Sequence, residues 1–123
     1  MRPLLPLAVV ALALLAAACA KKPGGKCSNE AEAECRGKTA ALTCHDKTWM
    51  ELSCRGPKGC VTTGNTVECD ESLAQAGDAC DHEGNVACAV DKKASVKCDK
   101  GKWVADEKCP KGCEVTGLLV KCE

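Results

Sequence analysis

A small, disulfide-rich, mainly β fold with two tandem hairpin-based modules is predicted from three features of the sequence. Thirteen of the 123 residues are cysteine, a density that is typical of a scaffold held together by disulfides. Two Trp are the only aromatic residues, so neither half of the chain has the bulky side chains of a large core. The third feature is that the cysteines after residue 26 fall into two sets of six with similar spacing.

This duplication defines the predicted domains. Successive cysteines are separated by 7, 8, 9, 5 and 8 residues in the first set, and by 7, 9, 10, 3 and 8 in the second. Neighbouring residues repeat in step, since Pro57-Lys58-Gly59-Cys60 matches Pro110-Lys111-Gly112-Cys113 at a period near 53 residues. We therefore predict module 1 at residues 27–69, a short linker at 70–79 and module 2 at 80–122. The two sets are Cys27, Cys35, Cys44, Cys54, Cys60 and Cys69, then Cys80, Cys88, Cys98, Cys109, Cys113 and Cys122.

We predict that these twelve cysteines form disulfides within their own modules. A secreted chain enters an oxidising compartment where structural disulfides persist. Zinc sites, the alternative, usually pair cysteines two to four residues apart, whereas the closest pair of module 1 is Cys54-x5-Cys60. Six cysteines allow 15 pairings, which spacing alone does not resolve.

Turn signals predict the hairpins. In module 1, residues 40–45 and 48–52 flank Asp46-Lys47, and residues 60–63 and 66–69 flank Gly64-Asn65. In module 2, the corresponding turns are Lys100-Gly101 and Gly117-Leu118. With two-residue turns, Cys44 is predicted to lie opposite Trp49, Cys98 opposite Trp103 and Cys113 opposite Cys122. The register sets Cys60 opposite Cys69 at a closely spaced position, which favours a bond between them. Residues 28–34 are compatible with one helical turn capped by Ser28 or Asn29.

The first 18 residues are predicted to be a secretory signal peptide. Arg2 is followed by an apolar run that ends in small residues, and the run is too short for a transmembrane helix. Leu15-Ala16-Ala17-Ala18-Cys19 resembles a bacterial lipobox, which implies lipidation of Cys19 and leaves twelve cysteines for the modules. The alternative is an ordinary signal cleaved near Ala18 or Ala20. Under the lipobox interpretation, residues 19–26 are the lipidated N-terminus and a flexible tether. The predicted anchoring is at the outer membrane, with the modules facing the periplasm or the surface.

Charge and motifs argue against several functions. The formal net charge is zero, so the basic surface of a nucleic-acid-binding protein is missing. The sequence lacks nucleophile-elbow, zinc-protease and phosphate-loop motifs, so we predict no enzymatic activity, cofactor or metal. Asp78, Asp81 and Glu83 form either a solvated acidic edge or a weak Ca²⁺ site, and the acidic edge is favoured.

The two tryptophans occupy equivalent places, since Cys44-x4-Trp49 matches Cys98-x4-Trp103. Trp49 and Trp103 could each present a ring on which a sugar stacks. The favoured interpretation is that each forms the centre of its module's small core, because the chain has no other large aromatic side chain for that role.

The run Cys98-Asp99-Lys100-Gly101-Lys102-Trp103, with the later Gly-Cys step and final cysteine, resembles the chitin-binding type of module found in secreted chitinases. Cys44-His45-Asp46-Lys47-Thr48-Trp49 lacks the Gly of that pattern. The duplicated cysteine-rich plan is also similar to that of bacterial surface lipoproteins. Together these features predict a membrane-anchored envelope lipoprotein with a non-enzymatic binding or scaffolding role on an unknown protein or glycan. The alternatives are a protein that binds chitin-like or peptidoglycan glycans, and a purely structural or protective envelope protein.

Overall fold

The computed structural model describes residues 21–123, and that part of the chain is all-strand, without helix. It confirms the predicted small, disulfide-rich, mainly β fold. Residues 1–20, which include the predicted signal peptide and Cys19, lie outside the described residues. The strands are β1 (Ala33–Cys35), β2 (Ala40–His45), β3 (Thr48–Ser53), β4 (Cys60–Thr63), β5 (Thr66–Cys69), β6 (Leu73–Ala74), β7 (Val86–Ala89), β8 (Ala94–Asp99), β9 (Lys102–Lys108), β10 (Cys113–Thr116) and β11 (Leu119–Cys122).

Each half contains a sheet followed by a separate two-stranded hairpin, and all described strand pairs are antiparallel except β6–β7, which is parallel. The first sheet has the order β1-β2-β3, and the second has the order β6-β7-β8-β9. The predicted pairings are confirmed, since Cys44 lies opposite Trp49 and Cys98 lies opposite Trp103. Positive φ angles at Asp46 and Lys47 are those of a type I′ turn, whose twist suits adjoining strands.

The hairpins β4–β5 and β10–β11 form sheets of their own. Their registers are also as predicted, with Cys60 opposite Cys69 and Cys113 opposite Cys122. Each turn begins with a glycine at positive φ, at Gly64 and Gly117, which is the requirement of a type II′ turn.

The favoured bond between Cys60 and Cys69 is wrong, although the register that suggested it is correct. Cys60 bonds to Cys35 of β1, and Cys69 bonds to Cys54 just after β3. Each sulfur therefore reaches a different strand of the neighbouring sheet, which fastens the hairpin to that sheet instead of closing it on itself. The two modules use the same pattern, joining first to third, second to fifth and fourth to sixth cysteine. The bonds are Cys27–Cys44, Cys35–Cys60 and Cys54–Cys69, then Cys80–Cys98, Cys88–Cys113 and Cys109–Cys122.

The helical turn considered for residues 28–34 does not form. Ala31 has a φ of 65°, which is incompatible with a right-handed helix. Its backbone N–H donates to Cys44 O at 2.9 Å, and the Cys44 N–H donates to Glu32 O at 2.7 Å. These long-range hydrogen bonds hold residues 31–32 against β2, so the segment continues into β1 instead of forming a helical turn.

The segments before each module are packed against it. Gly24 N–H donates to Trp49 O at 2.8 Å, and Trp49 N–H donates to Gly25 O at 2.8 Å. Gly77 and Asp78 make the corresponding bonds with Trp103, at 2.8 and 2.9 Å. Residues 24–25 are therefore part of the folded unit, contrary to the flexible tether predicted there. The predicted linker likewise contains β6, which pairs in parallel with β7.

Candidate functional site

Both tryptophans lie in module cores. Trp49 is 6% exposed and packs with Leu42, Cys44 and Cys27, while Trp103 is 4% exposed and packs in a cluster that contains Cys80 and Cys98. Each indole thus contacts the first disulfide of its own module. Neither ring presents an open face, so the structure does not bring the two predicted stacking residues to a ligand surface.

A groove of about 1040 Å³ runs between the two modules. One side is formed by the β4–β5 hairpin and the other by the β10–β11 hairpin, with the chain between Asp70 and Leu73 joining them. Its volume is at the upper end of the range for ligand pockets. The groove exists only because two modules lie side by side, and this is why the sequence of one module gives no sign of it.

The β4–β5 hairpin contributes one of its faces. Val61 lies opposite Glu68 in the ladder, and Asp70 N–H donates to Gly59 O at 2.8 Å, which continues the same register. Since successive residues alternate across a strand, these four positions share one face, and all four line the groove together with Cys69 at the end of β5. Val61 is 44% exposed there, so an apolar surface is available to a ligand.

The β10–β11 hairpin contributes an edge instead. The consecutive residues from Cys113 to Leu118 all line the groove. Successive side chains point to opposite faces of a strand, so a run of this length indicates that the strand edge, rather than one face, lies along the groove. β10 pairs with β11 on one side only, and the groove lies along its other side.

The groove has apolar and charged side chains but no aromatic ring. Val61, Leu73, Val115 and Leu118 supply apolar surface. Charged side chains of both signs also line the groove, contributed by Lys58, Lys92, Glu68 and Glu114. This lining suits a ligand that has both apolar and charged groups.

Asp70 shapes the groove at the junction. Its carboxylate accepts backbone N–H bonds from Lys58 at 3.0 Å and Ser72 at 3.1 Å. Partial burial acts to raise the pKa of Asp70, but these hydrogen bonds outweigh it and the pKa is lowered. Gly56 lies so close to the Asp70 carboxylate that a side chain there would collide with it. The charge of Asp70 therefore serves the fold of the junction rather than a ligand.

An ion pair connects the modules. Arg55 Nε donates to Asp78 Oδ2 at 2.6 Å, and its Nη2 donates to Oδ1 at 3.3 Å. This two-point geometry fixes the orientation of both side chains. Asp78 also accepts the Trp103 backbone N–H through its carbonyl, so the pair links module 1 to the core strand of module 2.

Glu71, in the segment between the modules, is the most strongly perturbed acid of the described residues. Burial raises its pKa to about 7, and the negative charges of Asp81 and Asp78 act in the same direction. The Trp103 side chain and His82 favour the charged form but offset only part of the effect. Its Oε2 is buried without a hydrogen-bond partner. No sequence signal indicates this perturbed pKa, because Glu71 lies in a polar stretch that resembles an ordinary linker.

The three acids considered as a weak Ca²⁺ site have separate partners. Asp78 pairs with Arg55, Asp81 lies 2.7 Å from His82 Nδ1, and the Glu83 carboxylate accepts the Lys100 backbone N–H at 2.9 Å. Their carboxylates are thus held in different hydrogen bonds. This arrangement fits the acidic-edge interpretation better than a shared cation.

A different cluster brings Glu30, His45 and Asp46 together, with one potential ligand atom from each within 4.8 Å of the others. All three side chains are exposed. Glu30 accepts the Asp46 backbone N–H at 2.9 Å, just as Glu83 accepts that of Lys100 in the other module. Capping of the hairpin turn therefore accounts for the position of Glu30.

Among residues 21–123 there is no helix long and apolar enough to cross a membrane.

Comparison with known families gives one match. Residues 60–116, just under half of the chain, match the carbohydrate binding domain of family 19. The match begins at β4 of module 1 and ends at β10 of module 2, so it includes Trp103 and both hairpin strands that border the groove. No curated protein and no solved structure matches the chain. Part of the chain therefore resembles a non-catalytic binding module.

Proposed function

We propose that this protein is a non-enzymatic carbohydrate-binding protein of the bacterial cell envelope, and that the groove between its two modules is the glycan site. The main support for this proposal is that the residues matched by the carbohydrate-binding family and the residues that line the groove are nearly the same part of the chain. Apart from Pro57, Lys58, Gly59, Gly117 and Leu118, which lie at most three residues outside it, every lining residue falls within 60–116.

The chemistry of the groove is compatible with a glycan. Val61 and Leu118 offer aliphatic surface to the apolar face of a sugar ring, while Ser72 and Thr116 offer hydroxyl groups to its polar rim. Sites of this kind combine an apolar lining with a few polar groups that fix orientation. The candidate ligands are chitin-like or peptidoglycan glycans, which consist of N-acetylated amino sugars.

A pull-down panel tests this function. The Cys19→Ser protein should be retained on chitin or on peptidoglycan but not on cellulose, and soluble oligosaccharide should elute it. Val61→Arg should weaken retention by about tenfold or more, because a long charged side chain would occupy the groove. Val104→Arg is the matched control, since Val104 is a 37% exposed strand valine outside the groove. Failure of every N-acetylated polysaccharide to retain the protein would refute the proposal.

We also propose that the protein is anchored through lipidated Cys19. Lys21 supports a short connection to the membrane, because its Nζ lies 3.1 Å from Glu32 and Glu34 carboxylate oxygens and 5.1 Å from the centre of the Trp49 ring. Only Ala20 separates this residue from Cys19. Module 1 would therefore lie close to the bilayer.

Lipidation predicts a large change in partitioning for Cys19→Ser. The wild-type protein should enter the detergent phase, and the variant should remain in the aqueous phase, because the acyl chains supply the membrane affinity. Mass spectrometry should find the acyl groups on an N-terminal Cys19. An unmodified N-terminus at another residue would contradict the proposal.

A protein-binding scaffold is the second candidate function. It is favoured by the burial of both indoles, which leaves the described surface without an aromatic platform for sugars. It is also favoured by the exposed Leu118 and Leu119 at the tip of the last hairpin. Retention of the protein by a protein partner but by no glycan in the panel would select this function.

A further inference from the structure

The free edge of β10 presents backbone N–H and C=O groups in a pattern that a peptide-free glycan does not match. In the β10–β11 hairpin, Thr116 and Leu119 flank a two-residue turn and form a hydrogen-bonded pair. Pair types alternate along an antiparallel ladder, so Val115 and Val120 form a non-hydrogen-bonded pair. The backbone N–H and C=O of Val115 therefore point away from β11.

The backbone hydrogen bond of Cys113, two residues earlier, shows which part of the protein faces this outer edge of β10. Its N–H also points away from β11, and it donates to Lys92 O at 2.8 Å. Lys92 lines the groove, so the outer edge of β10 faces the groove. Within residues 21–123, Val115 N–H has no backbone or side-chain acceptor outside the hairpin. A donor and an acceptor are thus presented side by side to any ligand in the groove.

The equivalent position in module 1 is arranged differently. Thr62 corresponds to Val115 and also occupies a non-hydrogen-bonded pair, with Val67. The nearby Cys60 N–H donates to Lys38 O at 2.8 Å, but neither Lys38 nor Thr62 lines the groove. The β4 edge therefore faces elsewhere, and only β10 offers its edge to the ligand.

We propose that the β10 edge binds an extended chain of amide bonds, and that the ligand of this groove is a peptide-substituted aminoglycan, of the kind found in peptidoglycan, rather than a peptide-free glycan. This inference rests on the proposed glycan-binding function. An extended peptide pairs with an exposed strand edge through its backbone amides, and its side chains then lie on the neighbouring surface. Here that surface is the β4–β5 face with Val61 and Glu68.

The charges of the groove agree with this ligand. Lys58 and Lys92 contribute positive charges, and Glu68 and Glu114 contribute negative ones. A short peptide on a glycan carries carboxylates and amino groups that can pair with both sets, whereas chitin-like chains are uncharged. Charge complementarity of this kind provides specificity more than affinity.

Hydrogen exchange of the complete Cys19→Ser protein tests the proposal without altering the groove. The probes are a soluble disaccharide–tetrapeptide from peptidoglycan and chitotetraose, which has no peptide. With the disaccharide–tetrapeptide, exchange of the Val115 amide should slow by about tenfold or more, as expected for a newly formed ladder bond. The Thr62 amide should exchange at an unchanged rate.

A pair of variants provides the second measurement. Val115→Pro removes the outward N–H and should weaken binding of the disaccharide–tetrapeptide by about tenfold. Thr62→Pro removes the equivalent outward N–H of module 1 and should leave the affinity unchanged. If Val115→Pro loses its dispersed amide spectrum, the exchange experiment alone decides.

The outcomes separate this inference from the function on which it rests. Equal affinity for chitotetraose and the disaccharide–tetrapeptide, or binding without protection of Val115, would overturn the peptide-edge inference and leave glycan binding in place. Absence of binding to either probe would overturn the glycan function as well.

Discussion

Complete reduction of the six disulfides is expected to unfold both modules at 37 °C. The bonds close segments with sequence separations of 13 to 25 residues. A loop of about 15 residues corresponds to roughly 3 kcal/mol in the chain-entropy model, and overlapping loops contribute less than the sum. Because a small domain has a net stability of only about 5–15 kcal/mol, losing three such bonds per module removes most or all of it.

The composition of the module cores explains why side-chain packing does not compensate for the loss of the disulfides. The cluster around Trp49 in module 1 contains Leu42 and the Cys27–Cys44 disulfide, so part of the apolar surface of this core is the disulfide itself. In addition, each hairpin shares no sheet with its module and is held by two disulfides, such as Cys35–Cys60 and Cys54–Cys69. Reduction therefore releases the hairpins and opens the cores together.

Proton spectra of the oxidised and fully reduced Cys19→Ser protein measure this effect. The oxidised form should show dispersed amide signals and a cooperative melt, and the reduced form should show neither. Alkylating agent added without reductant is the control and should change nothing, because all twelve cysteines of the described chain are bonded. A reduced protein that still melts cooperatively would contradict the prediction.

Stability should fall as the pH rises from about 4.5 to 7, because of Glu71. Its pKa is about 7 in the folded protein against a reference value of 4.5, so between these values the folded state binds more protons than the unfolded state. The destabilisation is complete above pH 7. It amounts to about 1–3 kcal/mol once the partial solvent access of the carboxyl is taken into account.

Glu71→Gln should remove this dependence, because the amide is neutral at every pH and similar in shape. We expect the variant to be more stable than the wild type by about 1–3 kcal/mol at pH 8.5 and equally stable at pH 4. Urea unfolding at the two pH values measures the difference. Glu107→Gln, at an exposed position of β9, is the matched control and should leave the pH dependence intact.

The opposite trend, with Glu71→Gln less stable at pH 8.5, would mean that the charged carboxylate is stabilised in place. Asp81 and Asp78 make that outcome unexpected, since both act against a negative charge on Glu71.

Local features of the sequence determine the registers of the hairpins, and composition determines the burial of the tryptophans. The four hairpin registers follow from turn residues such as Gly64-Asn65 and Gly117-Leu118, because a two-residue turn sets which residues face each other across the ladder. The burial of Trp49 and Trp103 follows from composition, because the chain has no other aromatic side chain to fill the module cores.

The pairing of the cysteines and the existence of the groove between the modules depend on the tertiary structure alone. The register placed Cys60 beside Cys69, but whether each bonds to the other or to a strand of the next sheet depends on how the hairpin packs on that sheet. The groove depends in the same way on the contact between modules, through Arg55 and Asp78, which are 23 residues apart in the chain. The raised pKa of Glu71 likewise arises from burial at that junction. Residue spacing encodes contacts across one turn, whereas contacts between separately folded sheets depend on the packing of whole surfaces.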